Sequence, residues 1–90
     1  MFAIHLAVRD PAAGPPAAAD AHAVQDGLWA HARPEHGLEH VRAGVTPEGI
    51  GVVLYVQAAS HREAAARARE LLERALTARG RSGFSITLHP

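Results

Sequence analysis

Residues 50–58 read IGVVLYVQA, and the way this stretch is read decides the fold. Only Gln57 in it is strongly polar. A strand with one wet face alternates apolar and polar residues, whereas this run is apolar on both sides. It therefore belongs in the interior of a sheet. Alternation sends Ile50, Val52, Leu54 and Val56 to one face, and Gly51, Val53, Tyr55 and Gln57 to the other.

The flanks supply its partners. TPEG, residues 46–49, has Pro at the second turn position and Gly at the fourth, which suits a tight hairpin. LEHVRAGVT, residues 38–46, is then the first arm, with Val41, Ala43 and Val45 on one face and His40, Arg42 and Gly44 on the other. In the simple register His40 lies opposite Tyr55. A three-residue PEG loop with a bulge would shift the pairing by one and turn His40 and Arg42 towards the opposite face.

On the C-terminal side, Ser60-His61-Arg62-Glu63 fits a capping box. The helix it opens buries Ala64, Ala68, Leu71, Leu72 and Ala75, with Leu76 at the margin. Glu63–Arg67 and Glu70–Arg74 are i,i+4 pairs in the favourable order. Gly80 closes the helix after Arg79. FSITLHP, residues 84–90, alternates Phe84, Ile86 and Leu88 with Ser85, Thr87 and His89.

Further out, FAIHLAV at residues 2–8 alternates cleanly, with Phe2, Ile4, Leu6 and Val8 facing inward. The loop RDPAAGPP, residues 9–16, follows. A helix over 17–32 begins with Pro15 or Pro16 in its first turn. Its apolar stripe holds Ala17, Ala21, Val24, Leu28 and His31 or Ala32. Trp29 lies beside that stripe and is expected to close one edge of the core. Pro34, in the exit loop RPEHG (residues 33–37), stops the helix.

The order β-α-β-β-α-β resembles a ferredoxin-like α+β sandwich, a resemblance that covers residues 1–90 as a single domain. It implies a four-stranded antiparallel sheet of order 4-1-3-2. Right-handed crossovers put both helices on one face. The other face is left with Ala3, His5, Ala7, Val53, Tyr55 and Gln57, and with His40, Arg42, Thr87 and His89 towards its edges. This superfold carries no functional motif, so it speaks to architecture and not to activity.

Composition narrows the function classes. Nine Arg balance nine Asp plus Glu, which gives no long-range pull on nucleic acid or an anionic membrane. RNA-recognition motifs share this topology but stack bases on central-strand aromatics, and here Tyr55 is the only one. There is no Cys, so no thiolate metal site, disulfide or cysteine nucleophile exists. The N-terminus has neither a signal peptide pattern nor an apolar span, so a cytoplasmic location is expected. The absence of Lys and Asn and the abundance of Ala match the codon bias of a high-GC bacterium. No cofactor is expected. GxSxG, P-loop and GxGxxG patterns are absent from the sequence.

An apolar patch with a polar rim marks a contact surface. The first expectation is a non-enzymatic binding or regulatory module that forms a homodimer through its sheet. Its partner is another copy, another protein or a small ligand. Two such sheets could stack face to face, as in dimeric α+β barrel proteins, or join edge to edge, as in ACT-type regulatory domains. The alternative is a cofactor-free dimeric-barrel enzyme, similar to oxygenases and isomerases. There His5 would be general base, Arg42 would hold an anion and Tyr55 would line the pocket. A second alternative uses three of the seven histidines, His31, His36 and His40, with Glu35 and Glu39 nearby, as zinc or nickel ligands.

Overall fold

The hairpin at the centre forms in the simple register. A computed structural model describes residues 1–11, 14–80 and 83–89. The elements are β1 (Phe2–Arg9), α1 (Ala18–His31), a short 3-10 turn (Pro34–His36), β2 (Leu38–Thr46), β3 (Gly49–Val56), α2 (His61–Ala78) and β4 (Ser85–His89). The sheet order is β2-β3-β1-β4, every neighbouring pair antiparallel. This is the 4-1-3-2 order of a ferredoxin-like α+β sandwich read from the other edge.

The core lies between one face of this sheet and the two helices. Ile4, Leu6 and Val8 of β1 and Ile50, Val52, Leu54 and Val56 of β3 are buried there. They meet Ala21, Val24 and Leu28 of α1, and Ala64, Ala68, Leu71, Leu72, Ala75 and Leu76 of α2. Leu76 is wholly buried, not marginal. Helix α1 packs on β2 and α2 packs on β1, while the helices touch each other. At Gly27 an added Cβ would stand 3.6 Å from the Ala75 Cβ, an ordinary contact distance.

The helices start differently. Ser60 caps α2 by accepting the Glu63 backbone N–H at 3.1 Å. The reciprocal half of the expected capping box is replaced: the Glu63 carboxylate pairs with Arg67. Glu70–Arg74 also forms, and Arg69–Glu73 adds a third pair in the reverse order. The prolines do not enter α1, whose N-cap is Ala17. Ala17 has no side-chain acceptor, so only the return contact exists, with the Asp20 carboxylate accepting the Ala17 N–H at 2.7 Å.

Several side chains fall outside the expected core. Trp29 is 45% exposed. At 3.6 residues per turn it points about 100° away from Leu28, which holds the buried position. Leu88 and Val45 are exposed although both share the helix-side face, because β4 and β2 are the sheet edges. Ala17 and His31 are also exposed, so the stripe of α1 is Ala21, Val24 and Leu28, continued by the half-buried Ala32 at its C-cap.

The register is anchored at its turn. Gly49 adopts φ 148°, and a Cβ there would fall 2.2 Å from the Val8 carbonyl oxygen. Only glycine lets β1 approach that closely. The alternative of a bulge at the PEG loop does not form; the irregularity of the β2–β3 pair lies at the far end of β2, where Glu39 is the extra residue between Leu38, opposite Val56, and His40, opposite Tyr55.

No helix among the described residues is long and apolar enough to cross a membrane.

Candidate functional site: the outer face of the sheet

Both helices lie on one side, so the outward-pointing strand positions form a second surface of the sheet. Strand pairing lays these positions out in rows. Ala3, Tyr55 and His40 form one row across β1, β3 and β2. The next contains His89, His5, Val53 and Arg42 across all four strands. A third contains Thr87, Ala7, Gly51 and Gly44. The sheet thus brings Ala3, His5, Ala7, His40, Arg42, Val53 and Tyr55 onto one surface, as the alternation in sequence anticipates.

The rows differ in height. Tyr55 and His40 stand up together, their rings 5.7 Å apart and tilted by 42°. The third row carries almost no side chain. A trough of about 280 Å³ opens over it, lined by His5, Ala7, Thr46, Glu48, Gly51, Val53 and His89 among others. Val53 and Tyr55 are half-buried, and Ala7 is buried although it faces outward. His5, His40, His89 and Arg42 are exposed.

Gln57 does not belong to this face as a strand residue. It lies one position beyond β3, and its backbone is occupied elsewhere. Its N–H donates to the Gly37 carbonyl at 2.8 Å, and its own carbonyl accepts from Arg67 of α2 at 3.1 Å.

The histidines considered as metal ligands have separate surroundings. His31 is exposed at the end of α1. His36 is only 4% exposed. Its Nδ1 accepts the Arg33 N–H at 3.0 Å, so the ring caps its own 3-10 turn. A buried ring needs such a partner. His40 stands on the sheet face beside Tyr55. Among the described residues no group of three or more His, Cys, Asp or Glu side chains could hold a metal ion.

Sequence reasoning did not find the trough. Thr46 and Glu48 reach it from the hairpin turn, and it exists because Ala7 and Gly51 are directly paired. The available signal was the small residues Gly51 and Ala7, which come side by side only once the register is known. A larger hollow, of about 480 Å³, lies at the sheet end between the hairpin turn and the loop before α1. Asp10 lines it, with one carboxylate oxygen buried and lacking a hydrogen-bond partner among the described residues.

No family model matches this chain, nor does any curated protein or solved structure. The functional reading therefore rests on the geometry alone.

Proposed function

We propose that this chain is a small binding module that pairs with a second copy of itself, sheet face against sheet face. The observation that carries the reading is the one-sided fold: both helices cover one side of the sheet, while Val53 and Tyr55 stand at the centre of the other among Ala3, Ala7 and Gly51. The dimensions support it. Strands spaced about 4.8 Å apart and rising about 3.4 Å per residue give a face of roughly 19 by 27 Å, or about 500 Å². That is about a tenth of the 5238 Å² exposed surface, and two such faces together would bury about 1000 Å², the lower bound for a specific interface.

The edge-to-edge route is opposed on β2. The backbone N–H of Ala43 on that outer edge already donates to the Gln25 side chain of α1 at 3.1 Å. An edge donor capped this way is withdrawn from pairing with another strand.

Val53→Glu tests the reading. A carboxylate placed at the centre of a dry interface is strongly unfavourable, whereas on an open sheet face it stays hydrated. Light scattering should give a dimer mass for the native chain and a monomer mass for the variant, with the circular dichroism spectrum unchanged. An unchanged mass in Val53→Glu would remove the sheet-face interface.

A second reading, a cofactor-free dimeric-barrel enzyme with His5 as general base, is favoured by one observation: the trough touches His5. It requires the trough to be closed by the partner copy, so a dimer whose interface is solidly filled at His5 would count against it.

A further inference from the structure

Three of the seven histidines share the outer face of the sheet. His5 is on β1, His40 on β2 and His89 on β4, and all three are exposed. The others lie elsewhere: His22 and His31 on α1, His61 on α2, and His36 buried in its 3-10 turn. His5 and His89 are direct cross-strand partners, which sets their Cβ atoms about 5 Å apart. His40 stands two residues from Arg42 on the same face of β2, about 7 Å along the strand. Each of the three therefore has a neighbour that is a cation or can become one.

The fixed charges around them nearly cancel. Arg9 of β1 and Arg42 of β2 occupy outward-pointing positions. Against them stand Glu39 in the bulge and Glu48 in the hairpin turn, the latter lining the trough with His5 and His89. On this face β3 presents Gly51, Val53 and the Tyr55 phenol, and β4 adds only Ser85 and Thr87 beside His89. The other carboxylates lie off the face. Asp20 and Asp26 are on α1, and Glu63, Glu70 and Glu73 are on α2. Asp10 follows the end of β1, and Glu35 is in the 3-10 turn. The face is thus near neutral while the imidazoles are uncharged, and reaches about +3 when all three take up a proton.

We propose that acid controls the sheet-face pair: two copies associate while His5, His40 and His89 are uncharged, and separate as the three take up protons. The inference rests on the face-to-face pairing proposed above. An open face keeps protonated imidazoles hydrated and screens them from one another. A second copy laid over them removes that water, and a charge left there without a partner is costly. In a two-fold pair the covering surface is the same face and carries the same histidines. Glu48 brings one carboxylate per copy against three imidazoles, too few to match them. Proton uptake therefore favours the separate copies. Pairing is complete above the range in which imidazole charges, about pH 5–8, and weakens as pH falls through it.

The test is sedimentation equilibrium of the full chain between about pH 7.5 and about pH 5.5, with circular dichroism at each pH to follow the fold. One imidazole on each copy, held uncharged by pairing, weakens it by about tenfold per copy over this range, so the dimer dissociation constant should rise about a hundredfold or more. At the lower pH, added salt should restore pairing by screening the imidazolium charges; at the higher pH it should change little. The triple variant His5→Gln, His40→Gln, His89→Gln should hold its dissociation constant within about threefold over the same range. His22→Gln, exposed on α1, should keep the native dependence. Salt without effect at the lower pH, or a dependence retained in the triple variant, would overturn the proposal. Loss of the dichroism signal together with the dimer would assign the effect to unfolding, as by protonation of the buried His36, and would overturn it too. A dimer unchanged by pH, or tightened by acid, refutes the switch and leaves the pairing intact. A chain that is monomeric at about pH 7.5 refutes the pairing, and the switch with it.

Discussion

Gly27 of α1 faces Ala75 of α2 and so tests the spacing of the two helices. Gly27→Ala replaces a glycine in the interior of α1, where Gly is less favourable than Ala by about 0.8–1 kcal/mol. The new methyl group would stand 3.6 Å from the Ala75 Cβ of α2, in contact without overlap. The position is half-buried, so the methyl adds a few tenths of a kcal/mol from apolar burial. The sum is about 1.2 kcal/mol of added stability. In a domain of this size each kcal/mol moves the midpoint by roughly 4–8 °C, so a rise of about 5–10 °C is expected. The assay is thermal unfolding by circular dichroism, with native and variant chains at the same concentration because pairing of copies would shift both midpoints. A lowered midpoint would mean that α1 and α2 lie closer than described. An unchanged one would mean that α1 is not a regular helix at Gly27.

Other positions test other parts of the fold. Gly49→Ala forces a side chain to φ 148° and against the Val8 carbonyl; it should cost at least about 2 kcal/mol in urea unfolding, and a neutral result would refute the β1–β3 approach at the turn. Ser60→Ala removes the α2 cap and should cost about 1 kcal/mol, while Ser60→Asp should retain most of it. Leu72→Ala opens a cavity at a wholly buried position. A loss of about 2–5 kcal/mol is expected there, and a loss below 1 kcal/mol would place Leu72 outside the core.

The candidate site was legible only in part. Alternation in FAIHLAV and IGVVLYVQA was enough to separate Ala3, His5, Ala7, Val53 and Tyr55 from the core residues, because a strand turns over every second residue whatever its neighbours are. The trough was not legible. It depends on Ala7 and Gly51 standing side by side, and their separation in sequence says nothing of that. The burial of His36 was not legible either: a loop position gives no hint that the ring folds back to accept the Arg33 N–H.

The sequence by itself determined the order of elements, the buried faces of β1, β3, β4 and α2, and the cap at Ser60, since each follows from periodicity or from contacts within a few residues. Only the tertiary structure decided the register that pairs Arg42 and His5 with Val53, and the exposure of Trp29, Val45 and Leu88. Those outcomes depend on where one element ends against another, and covering power at a sheet edge or across two strands is a property of the assembled layers, not of any single segment.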